Sequence, residues 1–192
     1  TGDPQYLAQA EGLAAIVQTH YLDAENGGYF LSADDADALI TRPKTVADNA
    51  TPSGNGTMLK VLARLFLITG EDAYRDHADA LVCAFPAPTQ DHRISMPGLC
   101  TGFEILDSAI QIVIVGPDND TATDALVRAA RDCAPPIRVL TQLSPDRATH
   151  PGHPAHGKGL VEAQPAAYVC QGSTCAAPIT EPQVLRDHLS AL

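Results

Sequence analysis

Positive charge is the first scarcity in this 192-residue sequence: 12 lysines and arginines stand against 23 acids, for a formal net charge of −11. Neutralising phosphates needs a basic face, so nucleic acid is excluded as a partner. An anionic membrane surface is excluded on the same ground. Long apolar runs are missing as well. No stretch approaches the roughly 18 residues that span a bilayer, and no signal-peptide pattern is present. Three sequence devices of nucleotide and hydrolase chemistry are also absent: a Walker loop, a G-x-G-x-x-G after "IVIVG", and a G-x-S-x-G. Cysteine is sparse, five scattered residues, an odd set that suits a reducing compartment better than a secreted disulfide scaffold. A soluble, cytoplasmic protein is the expectation. The chain opens on Thr1, which reads as a fragment or a processed product.

What is present is enough apolar residue, 45% of the chain, for a sizeable core. Leu7, Ala10, Leu13, Ala14 and Val17 have the spacing of an amphipathic helix over 4–19. "DAENGGYFLS" then turns through Gly27 and Gly28 into a short extended piece. Residues 52–69 are apolar almost all round a helix, as for an element surrounded by protein. Gly70 ends it, and 71–85 is apolar on one side only, so the pair reads as an αα-hairpin. "FPAPTQDHRISMPG" is a connecting loop leading into a short helix near 97–106. The pattern then changes. "AIQIVIVGPD", "TATDALVRAARDC" and "IRVLTQL" read as a right-handed βαβ unit, and a loop rich in Pro, His and Gly covers 144–159. "PAAYVCQGSTCAAPI" reads as strand, tight loop and extended exit, and a last helix opens at Pro182. The fold class is therefore α+β: helical hairpins over 1–106, then a small α/β lobe over 107–192.

The densest chemistry lies in "RPKTVADNATPSGNG", residues 42–56. Thr51 fits an N-cap and Pro52 the first helical position. That account leaves Gly54 and Gly56 unexplained, since each costs about 1 kcal/mol relative to alanine inside a helix. Such glycines permit close approach of another backbone or of a ligand to the electropositive helix end. Arg42, Lys44, Asp48, Asn49, Ser53 and Asn55 could line a polar, ligand-binding cup there. Structural packing is the competing reading.

"GGYFLSADDADALITRPKTVADNATPSGNG" together with "AAYVCQGSTCAAPITEP" resembles the C-terminal part of the thioredoxin-domain-containing family that includes bacterial YyaL and mammalian spermatogenesis-associated proteins. The resemblance implies a partial (α/α)6 toroid, like six-hairpin glycosidases and N-acylglucosamine 2-epimerases, with 52–69 facing the toroid axis. It implies a sugar-like small molecule as ligand, and a thioredoxin-like domain in the full-length parent as partner. This chain has no Cys-x-x-Cys and too few helices for a whole toroid. Taken alone it is then an incomplete, non-catalytic part of a carbohydrate-binding or carbohydrate-active protein. The alternative is a redox-linked interaction module. No cofactor is implied. Missing hairpins would leave apolar faces open, which implies self-association as a homodimer.

Three weaker constellations remain. Cys170 and Cys175 flank "QGST" with hairpin spacing. Reduced structural thiols come first, a disulfide or redox pair second, and metal ligands last, because zinc wants four ligands and no second pair matches. His150, His153 and His156 would share one side of a polyproline II segment and could hold a transition metal, though a polar loop is the plainer reading and no metal is expected. Asp34, Asp35 and Asp37 read as a solvated face. Asp23 and Glu25 lie near the glycine turn, without the spacing of a paired acid and base.

Overall fold

The computed structural model describes residues 4–37, 40–85, 93–133, 137–147, 149–172 and 174–192. The chain divides into two compact units, one of 3–66 with 71–106, the other of 67–70 with 107–192. Its architecture is mixed α and β. Half of the loop read at 85–98, residues 86–92, lies outside the described residues.

The first unit holds α1 (Pro4–Tyr21), most of α2 (Gly54–Thr69), α3 (Asp72–Cys83), a 3-10 turn (Arg93–Ser95) and most of α4 (Pro97–Ser108). α1 forms where its apolar spacing predicts, yet only Ala14 on it is buried, and Leu13 is 65% exposed. Its apolar stripe is wider than the core it meets. α1 stops where Gly27 (φ +71°) and Gly28 (φ +73°) turn the chain back, and Leu22 pairs with Tyr29 across that turn. α2 buries a broad face through Met58, Leu59, Leu62, Ala63 and Leu65, while Gly54, Thr57 and Arg64 on its other side are exposed. It starts two residues later than the sequence suggested. Ser53, not Thr51, is the cap, its Oγ accepting the Gly56 N–H at 3.1 Å. The reason is tertiary: Asp48 holds the Ser53 N–H, which leaves Thr51 and Pro52 outside the helix. Gly70 (φ +74°) separates α2 from α3, and α3 buries one stripe through Ala78 and Leu81.

The second unit is a four-stranded sheet in the order β2-β1-β3-β4: β1 (Ile110–Val115), β2 (Arg138–Leu143), β3 (Ala166–Gln171) and β4 (Thr174–Cys175). β1 and β2 are parallel, joined through α5 (Thr121–Cys133), while β3 and β4 run antiparallel. β1 is central and covered on both faces, which accounts for its unbroken apolar run. Ile112 and Ile114 meet Leu126, Ala129 and Ala130 of α5 and Leu185 and Leu189 of α6 (Pro182–Ser190). Val113 and Val115 meet Leu143 and Ala155 on the other face. The histidine loop is not polyproline II. Successive turns close it, with the His153 N–H donating to the His150 carbonyl and the His156 N–H to that of His153. A further tight turn follows, Val161 and Gln164 pairing around Glu162 (φ +49°) and Ala163 (φ +64°).

Candidate functional site

The residues of the 42–56 stretch separate into three groups around the start of α2. Asn55, on the first turn, is 1% exposed and wholly engaged. Its Nδ2 donates to the carbonyls of Tyr29 and Thr45, both at 2.9 Å, and its Oδ1 accepts the Tyr29 N–H at 2.8 Å. One amide thus ties α2 to the extended piece after the glycine turn and to the approach strand of the motif.

Asp48 and Ser53 form the second group. The Asp48 carboxylate accepts the Ser53 N–H at 2.7 Å through one oxygen and the Gly98 N–H through the other, so it joins the N-termini of α2 and α4. Burial pushes its pKa up, but the N–H donors of Ser53 and Gly98, the Ser53 hydroxyl and the Lys60 charge together hold it below the ordinary value. Of the two glycines, Gly56 is the one the packing requires. A Cβ there would stand 2.9 Å from the Gly98 carbonyl carbon and the Leu99 nitrogen, so another backbone occupies the space. Gly54 has nothing within 4 Å.

The third group is cationic. Arg42 Nη2 donates to the carbonyls of His20 (2.8 Å) and Ser32 (2.7 Å), and its guanidinium lies 4.3 Å over the Phe30 ring. Lys44 Nζ meets Asp23 Oδ2 at 2.6 Å and the Gly27 carbonyl at 2.8 Å. Both cations lie close to the Phe30 ring, and both hold backbone carbonyls of the 20–32 turn. Lys44, with help from the Asn26 and Glu25 N–H groups, lowers the Asp23 carboxyl to about 2. Asn49 stands apart, exposed, with its Oδ1 on the neighbouring Ala50 N–H at 3.0 Å.

Beside this framework lies an open cleft of about 500 Å³. α1 contributes Leu13, Val17 and Tyr21, α2 contributes Gly54 and Met58, and Tyr29 and Phe30 come from the extended piece. Burial raises the Tyr29 hydroxyl to about 12, with the Gln18 side chain pulling the other way. The sequence reading missed this cleft. Its residues come from three segments whose apolar side chains look like ordinary core, and Gly54 is its one link to the motif.

Two other groupings bear on chemistry. His20 Nδ1 lies 2.8 Å from Asp34 Oδ1 and 3.7 Å from Asp35 Oδ2, the one such trio among the described residues with ligand atoms close enough for a metal ion. Asp34 raises the His20 pKa through its hydrogen bond, and the ion pair accounts for the geometry. The three loop histidines are not gathered in this way: His150 Nε2 is 2.7 Å from the Thr69 carbonyl, and His153 Nδ1 accepts the Ala155 N–H. Cys170 and Cys175 oppose one another across β3 and β4 and are joined by a disulfide. This corrects the first reading of the pair, free structural thiols, because the antiparallel register sets the two side chains on the same side at neighbouring positions. Cys83, Cys100 and Cys133 are free.

No protein-family model matches the chain. The chain is similar to spermatogenesis-associated protein 20 of Homo sapiens, 30% identical over 171 residues that make up 86% of this chain and 22% of that protein. The protein of the same name from Rattus norvegicus is 27% identical over 96% of this chain and 24% of its own length. An uncharacterised protein of Caenorhabditis elegans is 22% identical over 97% of this chain and 25% of its own. The chain spans about a quarter or less of the length of these curated relatives. No helix among the described residues is long and apolar enough to cross a membrane.

Proposed function

We propose that the helical unit is one wall segment of a larger α/α toroid whose cup takes a carbohydrate-like small molecule, and that this segment positions the wall rather than performing chemistry. The observation that carries the reading is the cleft beside the α2 N-terminus, where Tyr21, Tyr29 and Phe30 line one open space. Small-molecule sites are concave and mainly apolar, with a few polar groups. In this reading Arg42, Lys44, Asp48, Ser53 and Asn55 act as mortar, since each is bonded to other protein groups. Toroid enzymes collect catalytic side chains from several hairpins, so a chain with few hairpins contributes part of a set. The family resemblance supplies the sugar class. The cytoplasm is the compartment the cysteine usage suggested, with three free cysteines in its favour and the Cys170–Cys175 disulfide against it.

An amide-resolved NMR titration of this chain with monosaccharides and sugar phosphates tests the proposal. Shifts should gather at Gly54, Thr57 and Tyr29–Leu31, with weak affinity for an incomplete cup, and Phe30→Ala should remove them. Asn55→Ala should lower stability first. Shifts confined to the second unit, or none at millimolar ligand, would reject the sugar reading.

A second reading, a redox-linked interaction module working with a thioredoxin-like domain, is favoured by one observation: the Cys170–Cys175 disulfide at the exposed edge of the sheet.

A further inference from the structure

We propose that the Cys170–Cys175 hairpin is a thiol–disulfide exchange site that a soluble dithiol attacks at the Cys175 sulfur. The proposal rests on the redox reading just given and deepens it, naming the reacting atom and the class of reagent. The two cysteines are not equivalent. Cys170 lies on β3 and is 5% exposed, whereas Cys175 lies on β4, whose two residues are both exposed. β4 is the outermost strand, and among the described residues it pairs with β3 alone. A nucleophile arriving from solvent therefore meets Cys175.

The bond also has little structural work to do. The Ala176 N–H donates to the Val169 carbonyl at 2.9 Å, and Ala167 and Ile179 exchange both of their backbone hydrogen bonds, at 2.8 and 2.9 Å. The disulfide closes a loop across five positions that the sheet has already closed on both sides. Loop-closure entropy grows with loop length, so a bond across so short a loop constrains the unfolded chain least. Opening it should leave the sheet standing.

One thiolate of the dithiol attacks Cys175 Sγ. A new S–S bond forms between reagent and Cys175, the Cys170–Cys175 bond breaks, and its electron pair leaves on Cys170 Sγ, which takes up a proton. The second thiolate of the reagent then attacks its own sulfur in the mixed disulfide and releases Cys175 as a thiolate, which is protonated in turn. Two electrons have passed to the cysteine pair, and the reagent departs as its own disulfide.

The direction of attack is testable on the whole chain with a monothiol, which has no second thiol to resolve the mixed disulfide, provided the reaction is quenched at early times. Accessible free thiols are first capped with N-ethylmaleimide, glutathione is added, and the reaction is quenched with iodoacetamide before fragment-ion sequencing. The glutathione adduct should sit on Cys175, with Cys170 alkylated, exceeding the opposite arrangement by about tenfold or more. Dithiothreitol should carry the pair to two thiols while the amide protons of 110–115 keep their exchange protection. An adduct mainly on Cys170 overturns the assigned direction and leaves the redox reading intact. A pair that dithiothreitol opens only when 110–115 lose protection overturns both.

Discussion

A methyl group added at Gly54 and one added at Gly56 should have opposite consequences, although the two residues are two positions apart on one helical turn. Open space surrounds Gly54, so Gly54→Ala should be neutral or stabilising by under about 1 kcal/mol through better helix propensity. At Gly56 the methyl would meet the backbone of Gly98 and Leu99, and Gly56→Ala should cost about 1–3 kcal/mol as α4 is forced to move. Equal denaturation midpoints for the two variants would contradict this packing. A titration prediction belongs at the same scale. Asp23 is held at about 2 in the folded chain, chiefly by Lys44, against about 3.9 when unfolded. A depressed carboxyl gives its stabilisation above the unfolded value and loses it as pH falls through the folded one. The 23–28 turn should therefore weaken between about pH 4 and pH 2, and Lys44→Met should move the Asp23 midpoint upward in an NMR titration. The sequence showed that these residues were unusual. It could not show which polar group each would meet, because Asp48 and Gly98 are 50 positions apart in the chain.

Among the elements, α2 and β1 were legible for the same reason: each buries a broad apolar surface, and its apolar residues mark its period. Leu65 on α2 is 3% exposed, and Leu65→Ala should cost about 2–5 kcal/mol by chemical denaturation. A loss under about 1 kcal/mol would mean that this face of the helix is not buried. α1 has the predicted periodicity, yet Leu13 lies largely in solvent. Periodicity reports which face is apolar, not what stands opposite. The turn at 161–164 was missed altogether, because Glu-Ala carries none of the Asn-Gly signal of a tight hairpin. Its two central residues sit at positive φ all the same. Ala163→Gly should relieve that conformation and stabilise the chain by about 1 kcal/mol, read as a rise in the denaturation midpoint.

For the whole molecule, the prediction concerns association. Tyr6, Leu13 and Ile16 recur at seven and three residues along α1, which places them on one side of the helix, and all three are more than half exposed. Contiguous apolar patches beyond a few hundred Å² usually serve as interaction surfaces. We expect a two-fold dimer at high concentration, and Leu13→Ser should shift the equilibrium toward monomer in sedimentation equilibrium. Wild-type protein that sediments at 20.2 kDa throughout would refute it.

Composition and period, local properties of the chain, determined that this protein has broadly and narrowly buried helices followed by a βαβ unit, because burial on one face or on both leaves its period in the order of residues. They also singled out 42–56 as exceptional. What those residues do was decided only in three dimensions. Asn55 found Tyr29 and Thr45, Asp48 found Gly98, and Arg42 and Lys44 closed on the turn at 20–32. Hydrogen-bond partners far apart in sequence leave no periodic trace. The aromatic cleft formed for the same reason, from α1, α2 and the piece between them. The Cys170–Cys175 bond likewise followed from strand register, which is set by which apolar face must be buried.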